Sequence, residues 1–233
     1  MKRGAWNNNL TLKLIHALRN KNMKHILIIS LITSASLAAL VQVTPLYENN
    51  FEKAELGKVP DELLVLGGDF VVKGDGTNKV LELPGAPLDS FGTQFGASEK
   101  ENVSVSASVL GTSKGRRTPT FGVGLGGVSG WKLQVSPGKK SLELLKDAEI
   151  KTSVAMDWKS GEWTRLRFQI RKLQDGGWKI EGKAWQSASE PKAWTISCDE
   201  KEEPVVGKAS VLGSPFSGTP IWFDDLRMER IGN

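Results

Sequence analysis

The sequence predicts an all-β chain, a two-sheet antiparallel jelly-roll β-sandwich. Three observations carry this. From Phe51 onward apolar residues alternate with polar residues or glycine at period two. Gly-, Pro-, Asp- and Ser-rich turn clusters recur at short spacing, and no convincing helical periodicity appears after the leader. Alternation gives each strand one buried and one solvated face, as antiparallel sheets covered on one side require.

Taken in chain order, residues 1–44 read as an N-terminal leader. After Lys21 and Lys24 comes the apolar run "HILIISLITSASLAALVQV", which ends in small residues, with the small-x-small spacing Ser36-Leu37-Ala38. This is the layout of a secretory signal peptide. The run is also just long enough for an uncleaved signal anchor, since about 20 apolar residues span a bilayer. Met23 offers a second start that would shorten the long charged segment before the run. No cysteine stands directly after the apolar run, which argues against a lipid anchor. Either reading places residues 45–233 outside the cytoplasm: periplasmic, at the cell surface or secreted.

Within 45–233 the strands follow one another. "NVSVSASVL" sets Val103, Val105, Ala107 and Val109 against Ser104, Ser106 and Ser108. "TFGVGLGG" alternates Phe121, Val123 and Leu125 with Gly122, Gly124 and Gly126, and "GWKLQV" sets Trp131, Leu133 and Val135 against Lys132 and Gln134. "WTRLRFQIRK" opposes Leu166, Phe168 and Ile170 to Arg165, Arg167, Gln169 and Arg171. "RKLQDGGWKIEGKAW" reads as a hairpin turning at Gln174–Gly177. About a dozen such runs exceed a small immunoglobulin-type domain and suit a jelly roll. No repeat or linker divides them.

Composition limits the chemistry. The chain has 31 Lys+Arg against 26 Asp+Glu, a formal charge of +5. Residues 1–40 hold six basic residues and no acid, so residues 41–233 carry −1 and net charge gives no support to a nucleic-acid partner. Both histidines, His16 and His25, lie in the leader. The exported part therefore lacks the residues for Ser-His-Asp or Cys-His catalysis and for the usual zinc sets. Cys198 is the single cysteine, so no disulfide forms within the chain and the core alone holds the domain. Its sequence context reads as a small buried residue.

The opening "NFEKAELGKVP", the middle "FGVGLGGVSGWKLQV" with "WKSGEWTRLRFQI", and the closing "GTPIWFDDLRMERI" resemble exported bacterial proteins of the concanavalin A-like lectin/glucanase (laminin-G-like) superfamily. The resemblance covers most of residues 50–231 and is one of layout. It implies a jelly roll and leaves function among sugar binding, glycan cleavage and adhesion. Laminarinase-like members carry Glu-x-Asp-x-x-Glu on one strand, and no such run occurs here. The nearest acid cluster, "ELLKDAE" from Glu143 to Glu149, reads as a solvated hairpin tip.

Asp224 and Asp225, adjacent in a strand, are expected to point to opposite faces and so not to act as a pair. Similar sugar-binding modules hold a structural calcium with acids of the first and last strands. By that resemblance Glu52 and Asp225 are the candidate ligands, against the alternative that the acid bonds loop amides or an arginine. For the ligand face, Arg165, Arg167, Gln169 and Arg171 supply planar polar groups, and Trp185 a platform for a sugar ring. Ser104, Ser106, Ser108, Gly122, Gly124 and Gly126 would floor one groove. Trp185 and Trp194 are expected at the surface, Trp131 and Trp178 in the core.

The function this supports is a non-catalytic, exported carbohydrate-binding module, with a glycan or cell-envelope component as partner. Two alternatives stand beside it. A structural or protein-interaction β-sandwich would have its sheet face covered. A glycoside hydrolase, with Glu181 and a distant acid for instance, would bring two carboxylates together in one cleft.

Overall fold

The computed structural model describes residues 44–85 and 89–232. The leader expected over 1–44 falls outside these except for Thr44. Among the described residues no helix is long and apolar enough to cross a membrane. Among the described residues fifteen strands form two antiparallel sheets, so the all-β jelly-roll sandwich predicted from alternation is the fold. A single 3-10 turn, Pro137–Lys139, is the helical structure among the described residues.

One sheet has eight strands. Its spatial order is β13 (Ile196–Glu200), β12 (Trp178–Trp185), β11 (Thr164–Lys172), β6 (Val103–Leu110), β15 (Ile221–Arg230), β4 (Asn78–Leu83) and β3 (Val71–Asp75). β1 (Tyr47–Asn49) pairs with the second half of β15. The other sheet has seven strands. They run β10 (Glu149–Ala155), β9 (Ser141–Lys146), β8 (Trp131–Ser136), β7 (Thr120–Leu125), β14 (Gly207–Ser214), β5 (Phe91–Glu99) and β2 (Leu64–Gly67).

The core lies between the sheets, where the alternating apolar residues meet. Val103, Val105, Val109, Leu166, Phe168 and Phe223 come from one side, and Phe121, Val123, Leu133, Leu142, Leu144 and Val211 from the other; all are at most 1% exposed. Each large apolar side chain removed from water contributes about 1.5–3 kcal/mol, which suffices for a domain with no disulfide. Trp131 and Trp178 are buried, as their register predicts. Cys198 is half-buried on β13 against the core edge, and burial pushes its thiol pKa up.

Three expectations need correction. β6 and β7 follow each other in sequence but lie in opposite sheets. Ser104, Ser106 and Ser108 therefore do not share a floor with Gly122 and Gly124. Alternation fixes which residues of one strand share a face, not which strand lies alongside.

The second correction concerns Glu143, which is no hairpin tip. It lies inside β9 and is 1% exposed, while the tip is Asp147–Ala148, both with positive φ. Its carboxylate accepts hydrogen bonds from Ser136 Oγ (2.9 Å), Ser141 Oγ (2.9 Å), Gln134 Nε2 (3.2 Å) and Lys139 Nζ (3.3 Å). Burial alone would raise its pKa. The bonds from Ser136, Ser141 and Lys139 outweigh this and hold it below the ordinary carboxylate value.

The third is at Asp224 and Asp225. A β-bulge interrupts the β15–β6 pairing between Asp224 and Arg227, and Asp225 takes a left-handed φ of 50°. The extra residue breaks strict alternation. Ser108 on the outer face donates to Asp225 Oδ2 (3.0 Å), and Asp224, paired in register with Ser108, also turns from the core. Both carboxylates therefore lie on one face.

Candidate functional site

Each sheet has an outer face turned away from its partner, and the side chains on the two differ in how far they satisfy one another. On the eight-stranded sheet the outer residues of β6, β11 and β12 come into register: Arg165 beside Ser108 and Trp185, Arg167 beside Ser106 and Lys183, Gln169 beside Ser104 and Glu181. The structure thus brings all five sequence-predicted ligand residues onto two adjacent strands, Arg165, Arg167, Gln169 and Arg171 on β11 and Trp185 on β12.

Their polar groups are largely engaged. Arg167 pairs with Glu229 (3.2 Å) and Glu190 (3.4 Å). Gln169, 8% exposed, donates to Glu181 Oε2 (2.7 Å), and Arg171 reaches the same oxygen at 3.8 Å. Arg165 donates to the Ser187 carbonyl at 3.5 Å. The segment from Gln186 to Thr195 folds back over this face. Its Glu190 and the Pro191 carbonyl both sit 2.7 Å from the ammonium of buried Lys183, which also lies 4.7 Å from the Trp194 ring. Trp185 and Trp194 are half-buried rather than exposed for this reason, and Trp185 Nε1 is buried without a partner.

A depression of about 180 Å³ remains over Ser106 and Ser108, walled by Arg165, Trp185 and Asp225. Ser106 and Asp225 also line a neighbouring depression of about 770 Å³ that contains Glu48, Glu62, Lys53 and Arg227. Here Arg227 bonds Glu48 (2.8 Å) and Glu229 (2.6 Å), and Glu62 accepts from Asn49 Nδ2 (2.8 Å).

The calcium candidates spend their oxygens on protein donors. Glu52 Oε1 accepts the Lys79 backbone N–H (2.9 Å), and Asp225 Oδ2 accepts from Ser108. Asp224 accepts from Asn78 Nδ2 (2.9 Å) and from the Asp225 N–H (2.7 Å). Burial raises the Asp224 pKa, with the Asp225 and Glu52 charges adding to it. Among the described residues no three acidic, His or Cys groups converge as an ion cage. The donor to Asp225 is thus a strand hydroxyl, Ser108, and not the loop amide or arginine weighed as the alternative to calcium.

The outer face of the seven-stranded sheet carries a groove of about 360 Å³ that sequence reasoning missed. Besides Ser90, Gln134 and Ser214, its polar contributors fall on one register row across four strands: Gln94 on β5 beside Ser210 on β14, Ser210 beside Gly124 on β7, Gly124 beside Lys132 on β8. Gln94 and Ser210 are 7% and 5% exposed, and neither side chain has a hydrogen-bond partner among the described residues. Their polar atoms are not sealed in the interior; they open on the groove. Gly124 lets its neighbours close over it, because a Cβ there would come within 2.6 Å of Ser210 Oγ and 3.4 Å of Lys132 Cγ. Leu66, Val128 and Leu145 form apolar walls. Among the described residues no Asp or Glu lines the groove. The sequence did show Lys132 and Gln134 as outward-facing, but nothing local linked them to Gln94 and Ser210, which come from distant strands.

The sequence matches no family model and no curated protein. The structure is similar to several solved domains. The carbohydrate binding module CBM66 from Bacillus subtilis superposes with a TM-score of 0.51 at 9% identity, over 72% of this chain and 95% of that one. The carbohydrate recognition domain of Emp46p, in its metal-free form, gives 0.55 at 8% identity, over 83% and 100%. The catalytic domain of a GH131 beta-glucanase from Podospora anserina gives 0.51 at 12% identity, over 82% and 97%. At such identities the likeness shows a shared jelly-roll fold and nothing finer.

Proposed function

We propose that residues 45–233 are a non-catalytic carbohydrate-binding module and that the glycan lies in the groove of the seven-stranded face. One observation carries the reading: Gln94 and Ser210 are more than nine-tenths buried, have no side-chain hydrogen-bond partner among the described residues, and face an open groove. A polar atom that opens on a groove and has no protein partner is hydrogen-bonded by water, which a ligand hydroxyl can replace. An amide and a hydroxyl each donate and accept, as sugar hydroxyls do, so a glycan can satisfy both. Apolar walls beside a few polar groups are the usual make-up of a small-ligand site. The fold's likeness to a carbohydrate binding module and a carbohydrate recognition domain supports the class of ligand. The lack of a lining carboxylate supports binding over hydrolysis.

The ion-paired face of the eight-stranded sheet is the weaker location, since Arg167, Gln169 and Arg171 would have to give up protein partners first. Export, implied by the leader pattern, and a structural calcium at Glu52 and Asp225, implied by the resemblance, belong to the same proposal. The test is retardation of the purified protein in native gels cast with neutral and acidic polysaccharides, with and without EDTA, alongside an assay for new reducing ends. Retardation without reducing ends is expected. Failure of every polymer to retard the folded protein would sink the reading, and released reducing ends would replace it with hydrolysis. Thermal stability unchanged by EDTA would remove the calcium.

A further inference from the structure

Lys132 differs from every comparable cation in the domain. Among the described residues, each other half-buried or buried Lys or Arg has a hydrogen bond or an ion pair. Lys146 and Lys100 bond glutamates, Lys179 bonds Asp199, and Lys183 bonds Glu190. Arg167, Arg171 and Arg227 pair with glutamates, while Lys79 and Lys208 donate to the carbonyls of Ala54 and Gly96. Lys132 is half-buried on a central strand and has neither.

The reason is in the register. Its lateral neighbours are Gly124 on one side and Leu145 on the other, and neither can pair with an ammonium. The carboxylate on the same face, Glu143, is 1% exposed and already bonded by four donors.

We propose that this groove takes an acidic saccharide, one that carries a carboxylate, with Lys132 as the counter-charge. The inference rests on the carbohydrate-binding reading and narrows its ligand. The row from Lys132 through Ser210 to Gln94 crosses three strand spacings, about 14 Å, the length of a short oligosaccharide. A sugar carboxylate sits against Lys132, and hydroxyls of the next unit meet Ser210 and Gln94. The apolar faces of the rings lie along Leu145, Leu66 and Val128. Lysine offers a point charge with three donors, which suits a single carboxylate that need not be gripped in one plane. One unpaired lysine in an otherwise uncharged groove matches an isolated charge, not the dense phosphates of a nucleic acid.

The experiment is calorimetric titration of the purified protein with oligomers of galacturonic, glucuronic and mannuronic acid, each against its methyl ester, and with a neutral glucan oligomer. The ester keeps the sugar and removes the charge. At least one acid oligomer is expected to bind about five- to tenfold more tightly than its ester, an advantage lost at high salt and in Lys132→Met. Gln94→Ala with Ser210→Ala is expected to weaken acid and ester alike. Equal binding of acid and ester, an unaffected Lys132→Met, or binding of the neutral glucan alone would overturn the acidic ligand and leave the carbohydrate reading intact. No binding of any oligomer by protein with a native circular dichroism spectrum would overturn both.

Discussion

Glu143 shows what single residues do on these faces. It sits on the outer side of β9, where alternation predicts solvent, yet it is buried and ringed by Ser136, Ser141, Gln134 and Lys139. Its charge is held by hydrogen bonds, each worth more to an ionised acceptor than to a neutral one. Glu143→Gln is expected to cost about 1–3 kcal/mol in chemical denaturation at pH 7. Its pKa is depressed in the fold, so this contribution is complete above the ordinary value of 4.5 and is lost as pH falls through the folded value. The stability gap between wild type and Glu143→Gln should therefore shrink on acidification below about pH 4.5, and a gap independent of pH would contradict the assigned charge. The sequence marked Glu143 as part of an acid cluster. It held no sign of burial, because three of the four donors come from β8 and from the turn after it.

At the scale of elements, β15 is where sequence reading and structure part. Read as a regular strand, "IWFDDLRMER" puts Asp224 and Asp225 on opposite faces. The bulge resets the alternation, so that Phe223 and Leu226 both reach the core although they are an odd number of residues apart. A single extra residue leaves no periodic trace, and the left-handed φ falls on an aspartate, which tolerates it better than most residues. Asp225→Gly relieves the backbone while losing the Ser108 bond, and is expected to change stability by less than about 1 kcal/mol. Asp225→Val loses the bond and forces a β-branched residue into the same φ, with an expected cost of about 2–3 kcal/mol. Equal effects of the two substitutions on the denaturation midpoint would argue against a strained bulge. By contrast β6, β7, β8 and β11 were legible from the sequence almost residue by residue, since each keeps period two throughout.

For the whole molecule, the strands were legible and their neighbours were not. "NVSVSASVL" and "TFGVGLGG" look like adjacent members of one small-residue floor, but the connection between them crosses the sandwich. Pairing is set by the three-dimensional path of each connection, which local composition does not encode. The predicted ligand residues did gather on one face, and that face answers its own charges with Glu181, Glu190 and Glu229. The opposite face leaves Gln94, Ser210 and Lys132 unanswered.

The claim that the ligand lies on the seven-stranded face is tested most directly by blocking each face in turn. Leu212→Trp fills the groove from its floor, and Ser106→Trp fills the depression on the eight-stranded face. Retardation of both folded variants should be measured in a gel containing a polysaccharide that retards the wild type. The account predicts that Leu212→Trp loses retardation and Ser106→Trp keeps it; the reverse pattern would contradict it.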